Sequence, residues 1–349
     1  MPSTPPHRSL PSRTVLLTLL RSYLPDYLLT LLLLFLFGYL THRAGFQQQF
    51  SINDPSIQHS YTQHDRVPMY ATVLLAAVFP LLSFLLISLI YSRSLYDLHS
   101  ATLGLLLTLS LTTVLTNICK LTVGRPRPDL LARCLLPPGT VDSGPPGYGL
   151  VSPSLCTQPN AHILADGFKS FFSGHSSFSF AGLGFLSLYL AGKLALFDQR
   201  GYAFKPWLVG APLVAAALVA ISRVMDYRHH WQDVVVGSAV GWGMSWFVYR
   251  LYYPPLTSPN ASKPYAPRHS LSEPQTQSQI QPLLPLHVQS STTAEEEEEV
   301  PEGTIPRPGP GPGGREWQGA TPGQTPGGTR YSDNTLVHEG ANWGERDGR

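Results

Sequence analysis

Six apolar stretches between residues 26 and 253 constrain this chain more than any other feature. They cover residues 26–40, 67–91, 98–119, 176–197, 207–221 and 234–253. Each approaches the roughly 20 residues that an α-helix needs to cross a bilayer. In hydrocarbon every backbone N–H and C=O must be bonded within the segment, so such stretches become helices. The expectation is an all-α fold: an integral membrane six-helix bundle with one long loop, residues 120–172. Pro80 lies inside the second stretch and predicts a kink. Ser and Thr in the third stretch predict bonds to neighbouring helices. Gly182, Gly184, Gly237, Gly241 and Gly243 predict close helix contacts.

Composition changes sharply after this region. Mean hydropathy is +0.00 because it averages two regions of opposite character. Residues 1–23 read as a cytoplasmic N-terminal segment and 24–253 as the membrane domain. Residues 254–349 are dominated by Pro, Gly, Ser, Thr, Gln and Glu, with a Glu run at 295–299 and the stretch PRPGPGPGG. Such a composition buries too little apolar surface to fold, so it reads as a disordered cytoplasmic tail. His7, Arg8 and Arg13 precede an apolar run, as in a signal peptide. Arg21, Pro25 and Asp26 interrupt that run, so it reads as a retained anchor. A net charge of +2 lacks the basic excess of a nucleic-acid binder. The three cysteines, Cys119, Cys134 and Cys156, form no C-x-x-C pair of the structural-zinc type. Cys134 and Cys156 share the long loop; an oxidising compartment would join them, and otherwise they are free thiols.

Basic residues set the orientation. The positive-inside rule places His7, Arg8, Arg13 and Arg21 in the cytoplasm, with Lys193, Arg200 and Lys205 on the same side. There the sequon at Asn260 would stay unmodified. The opposite side carries Lys120, Arg125, Arg127, Arg133, Lys169, Arg223 and Arg228. That excess is explained if those residues bind an anion.

Three clusters at the ends of the stretches fall on that opposite side. The first is KLTVGRPRP, where Gly124 and Pro126 end the helix and let Lys120 and Arg127 converge. The second is SFFSGHSSF, where Ser173 and Gly174 begin a helix. Backbone N–H groups there bind anions, and His175 is placed to donate a proton. The third is SRVMDYRHHWQDV. His229 and Asp233 are four residues apart and share a helix face. Asp233 is thus expected to hold one ring nitrogen of His229 and leave the other as nucleophile. Arg223 can grip a tetrahedral oxyanion through two parallel bonds. Each cluster alone also fits an ordinary interfacial group: snorkelling cations, or a helix cap beside a histidine.

Lys-six-Arg-Pro, Ser-Gly-His and Ser-Arg-five-His-three-Asp, in that order, resemble the type 2 phosphatidic acid phosphatase superfamily, also called the lipid phosphate phosphatases. The resemblance covers roughly residues 24–253. The flanking text INDPSIQHSY, DGFKSFFSGHSSFSF and DYRHHWQDV is most similar to the fungal and plant diacylglycerol pyrophosphate and phosphatidate phosphatases. It implies that Lys120, Arg127, Ser173, Gly174 and Arg223 bind the substrate phosphate. His229 would form a phosphohistidine, His175 would protonate the leaving oxygen and Asp233 would hold His229. It implies no metal and no cofactor, a lipid phosphate substrate held in the bilayer, and a site facing the lumen of the vacuole, endoplasmic reticulum or Golgi. Phe172 stands where many members have Pro. Other lipid phosphatases and headgroup transferases of the superfamily share these motifs, and a non-enzymatic membrane protein could keep the fold. The sequence is compatible with a homo-oligomer and names no partner for the tail.

Overall fold

The computed structural model describes residues 13–143 and 149–268. Eight helices carry the architecture among them. Six are long: α1 (Arg13–Thr41), α2 (Met69–Ser92), α3 (Leu95–Val123), α6 (Gly174–Lys193), α7 (Phe204–Met225) and α8 (Trp231–Tyr252). Two are short and lie in the long loop: α4 (Leu130–Cys134) and α5 (Ala161–Gly167). The described residues form no strand, only isolated bridges such as Phe50 with Val151.

Four of the long helices, α1, α2, α3 and α7, are long and apolar enough to cross a membrane. They present side chains such as Leu31, Phe35, Leu82, Ile90, Trp207 and Leu218 outward, the surface a lipid-facing helix needs. α6 and α8 are less apolar for a physical reason. α6 packs against α2, α3, α7 and α8 at once, and most of its residues are buried. A helix enclosed by other helices gains from small residues that admit close neighbours, so Gly and Ser replace Leu and Phe. A Cβ on Gly182 would stand 1.7 Å from the Ala76 carbonyl oxygen, and one on Gly241 would stand 2.2 Å from that of Ser177. Gly243, by contrast, faces open space.

Several expectations change. α1 begins at Arg13 rather than near residue 24, because RTVLLTLLRSYL is a run of helix formers. α2 runs through Pro80 without a break. A wide π turn at Leu74–Val78 precedes it and accommodates the missing donor. In α3 the hydroxyls of Thr108, Thr112 and Thr113 bond their own helix's carbonyls, four residues back. Thr116 also reaches across, 2.9 Å from Ser177 Oγ.

The expected tail boundary at residue 254 also moves. Residues 254–268 pack back on the bundle as a strap. Tyr265 N–H bonds the Tyr252 carbonyl, Tyr96 Oη donates to the Tyr265 carbonyl, and Arg268 pairs with Asp26 at 2.6 Å. Beneath it Asp97, fully buried, accepts from Lys193 Nζ (2.8 Å), Tyr189 Oη (2.9 Å), Tyr253 Oη (3.1 Å) and Ser88 Oγ (3.2 Å). The expected disordered tail from residue 269 onward lies outside the described residues.

At the other end the loops before α2 and after α3 form a cap with its own small core of Phe50, Ile57, Leu130, Cys134, Val151 and Phe168. Cys134 and Cys156 are bonded, settling the alternative left open by the sequence. Asp142 ties the two loops together by accepting from Ser51 Oγ and Ile52 N–H.

Candidate active site

Under this cap the three clusters meet. Lys120 sits in the last turn of α3, which Gly124 closes. Arg127 follows on the extended exit. Gly174 and His175 open α6, Arg223 ends α7, and His229 lies in the turn before α8. Lys120, Arg127, Gly174, His175, Arg223 and His229 line one cavity of about 390 Å³. Its walls continue into Phe37, Met69 and Phe178 from α1, α2 and α6, which form an apolar flank.

The cations of the cavity are held in different ways. Arg127 pairs with Asp166 at 2.8 Å, and Arg223 pairs with Asp226 at 2.7 Å and Asp65 at 3.1 Å. Lys120 makes no ion pair among the described residues, and its Nζ lies 3.3 Å from the position a Cβ on Gly174 would take. Nε2 of His175 and Nε of Arg127 are buried without a hydrogen-bond partner. Buried polar atoms are nearly always bonded, so two such atoms on residues lining one cavity are compatible with a polar ligand there. A tetrahedral oxyanion fits this donor set: one free ammonium, two guanidiniums, and the glycine-led start of α6.

Asp65 and Asp166 also line the cavity, and sequence reasoning missed both. Burial alone would push the Asp166 carboxyl up, but Arg127, Arg133 and Lys120 hold it down to about 2. Burial opposes ionisation of Asp65 in the same way, and Arg228 and Arg223 outweigh it. Both carboxylates therefore stay charged and hold the arginines around the cavity in place. Arg228, one of the basic residues expected on this side, bonds Asp65 at 2.9 Å and stacks over Tyr61. One signal was available: seven cations on one side require carboxylates nearby, and Asp65, Asp129, Asp166 and Asp226 are among the acids in the same loops and turns.

Two expected site residues stand apart from the cavity. Ser173 is fully buried at the N-cap of α6, where its Oγ accepts from Ser176 N–H and Ser176 Oγ. Asp233 does not contact His229. Its Oδ1 accepts from Arg125 at 2.6 Å, and its Oδ2 accepts from Ser170 Oγ at 2.6 Å and from His230 N–H at 3.2 Å. The reason is the N-terminus of α8. His230 is its cap residue and Asp233 its third position, so the acid folds back to close a capping box. Nδ1 of His229 instead meets the Ser170 carbonyl at 2.7 Å. A carbonyl only accepts, so Nδ1 carries the proton and Nε2 keeps its lone pair. Burial, then the charges of Arg127 and Lys120, hold the His229 pKa well below the ordinary 6.5, which favours this neutral ring.

Comparison with known proteins decides the family. The profile of the PAP2 superfamily matches residues 101–255, which include all three clusters. Lipid phosphate phosphatase 2 of Arabidopsis thaliana is 44% identical over 210 residues, 58% of this chain and 68% of the relative. This chain belongs to the PAP2 superfamily. Diacylglycerol pyrophosphate phosphatase 1 of Saccharomyces cerevisiae is 36% identical over 244 residues, 69% of this chain and 83% of the relative. Probable diacylglycerol pyrophosphate phosphatase 1 of Schizosaccharomyces pombe is 39% identical over 217 residues, 62% and 76% of the two chains. No solved structure matches the chain. Within the superfamily frame the cavity is the candidate active site, and Lys120, Arg127, Arg223, His175 and His229 are its core.

Proposed function

We propose that this protein is a membrane lipid phosphate phosphatase that hydrolyses diacylglycerol pyrophosphate and phosphatidate through a phosphohistidine on His229, without a metal. One observation carries the reading: separate motifs from α3, α6, α7 and the α7–α8 turn converge on one cavity, where an unpaired ammonium and a neutral histidine face an apolar flank. The named relatives support the substrate class.

The chemistry follows from the geometry. Lys120, Arg127, Arg223 and the Gly174 N–H hold the equatorial oxygens of the phosphoryl group, where charge must be stabilised in transfer. Nε2 of His229 attacks phosphorus. The N–P bond forms as the P–O bond to the lipid breaks, and His175 gives its proton to the departing oxygen. Water then attacks phosphorus, gives a proton to His175 and breaks the N–P bond, releasing inorganic phosphate. The fixed cations do the work of charge neutralisation.

On this reading all six long helices cross the bilayer, with α6 and α8 shielded inside the bundle. The headgroup enters at the cap while the acyl chains lie along Phe37, Met69 and Phe178. The bonded Cys134 and Cys156 in the cap support a site facing an oxidising lumen, that of the vacuole, endoplasmic reticulum or Golgi.

Purified protein in detergent, assayed for phosphate release from both lipids in excess EDTA beside His229→Ala, tests the proposal. EDTA-resistant release that disappears in the variant supports it. Release that survives His229→Ala, or that EDTA abolishes, overturns the mechanism. Release without an added acceptor alcohol separates hydrolysis from headgroup transfer.

A further inference from the structure

We infer that Ser170 and Arg125 are positioning residues for the nucleophile, and that Asp233 reaches the His229 ring through Ser170. The inference rests on the histidine mechanism proposed above. Both lie inside the sequence clusters, but neither is one of the residues to which the resemblance gives a role.

Three contacts fix Ser170, which is fully buried. Its N–H donates to the Arg125 carbonyl at 3.1 Å, its Oγ donates to Asp233 Oδ2 at 2.6 Å, and its carbonyl accepts from His229 Nδ1 at 2.7 Å. The plane of the His229 ring therefore depends on where residue 170 is held. Asp233, also fully buried, is held in turn by Arg125 Nη1 at 2.6 Å and by the cap of α8. Arg125 thus touches the relay twice, through its carbonyl at Ser170 and its guanidinium at Asp233.

A capping box alone would account for Asp233, since it needs only the His230 backbone. It does not account for Ser170 and Arg125 being drawn onto the same carboxylate. Charge-assisted bonds this short are the strong class, and two of them converge on one buried acid. The relay also links the three motif regions: Arg125 lies in the first cluster, Ser170 at the edge of the second, and Asp233 in the third. When Nε2 takes the phosphoryl group the ring becomes cationic, and the Nδ1–H bond to a firmly held carbonyl strengthens. A carbonyl free to drift by an ångström would misalign attack and cost about a hundredfold in rate.

The test is a double-mutant cycle with Ser170→Ala, Asp233→Asn and both, beside Ser170→Thr. Steady-state kinetics on phosphatidate give kcat and KM. Rapid quench with labelled phosphatidate gives the rate of phosphohistidine formation. Vanadate inhibition and thermal unfolding report an intact cavity and fold. Expected for Ser170→Ala is a fall in kcat of about 30-fold with KM changed by less than about twofold. Phosphohistidine formation should slow in step. Ser170→Thr, which keeps a hydroxyl, should recover most of the rate. The double variant should be no slower than Asp233→Asn, because one chain of contacts has been cut twice. Ser170→Ala within twofold of wild type, or losses that multiply in the double variant, would overturn the inference. If Asp233→Asn fails to fold, the Ser170→Ala and Ser170→Thr pair decides alone. Should wild type form no phosphohistidine at all, the proposed mechanism fails first. Should it form one at equal rates in wild type and Ser170→Ala, only the relay fails.

Discussion

α3 carries Asp97 near its start and Lys120 near its finish, roughly 35 Å apart by the rise of an α-helix. α6 carries His175 and Lys193 in the same way. The bundle therefore holds buried ionic groups at both ends, but in different states. At the strap end Asp97 is bonded by Lys193, Tyr189, Tyr253 and Ser88, and Lys193 also donates to the Ser262 carbonyl. At the cap end Lys120 has no ion pair among the described residues, and nitrogens of His175 and Arg127 lack partners. At the strap end the buried charges satisfy one another, although neutral atoms there such as Tyr249 Oη also lack partners; at the cap end a cation is left over. Ion pairs alone do not separate the two, since each end has them.

Lys193→Met should give the largest effect on stability. It leaves the Asp97 carboxylate buried without its cation, at a cost of about 3–5 kcal/mol. Thermal or denaturant unfolding in detergent would measure it, and kcat of the protein that stays folded should match wild type. Arg127→Met should show the opposite pattern. Loss of one charge stabiliser lowers kcat/KM by about 10²- to 10³-fold. Its stability should change little, because Asp166 keeps Arg133 as a partner. Equal destabilisation by the two variants would break the distinction between the ends.

The smallest effect is in pH. The neutral His229 ring resists protonation, so the acid limb of kcat/KM should fall below pH 6.5. The same depression has a sign in stability. Below the ordinary histidine pKa the unfolded chain takes up a proton that the folded one refuses, so stability falls with pH. Wild type should lose stability relative to His229→Gln as pH drops through about 6.5, by up to about 1.4 kcal/mol per unit. Parallel curves would show that His229 titrates like an exposed ring. Asp166, held at about 2, stays ionised across this window and does not blur the comparison.

The three motifs were legible because the chemistry demands particular residues at fixed spacings along the chain. Lys120, Arg127, His175, Arg223 and His229 could be placed in one layer from helix ends alone. Their carboxylate partners were not legible. Asp166 and Asp65 reach their arginines, Arg127 and Arg223, from distant loops, and only the tertiary fold decides such pairings. Asp233 was read as a partner of His229 from helical spacing, but residue 229 precedes α8, and spacing on a helix face does not apply before the helix starts. The helical class followed from the apolar stretches. The strap did not, since the text after residue 253 is polar and Pro-rich, and its anchoring uses backbone carbonyls that composition cannot show.

The seam where α6 meets α2 and α8 has a consequence for tolerance to change. Gly182 and Gly241 carry no chemistry, yet each faces a carbonyl oxygen at a distance that no side chain survives. In a saturation library scored for folded protein, these two positions should accept almost no replacement, while Gly243, where a Cβ meets open space, should accept many. A map of folding intolerance would therefore light up two unreactive glycines, and an activity screen run beside it would add His175 and His229, so the two maps together tell scaffold from chemistry.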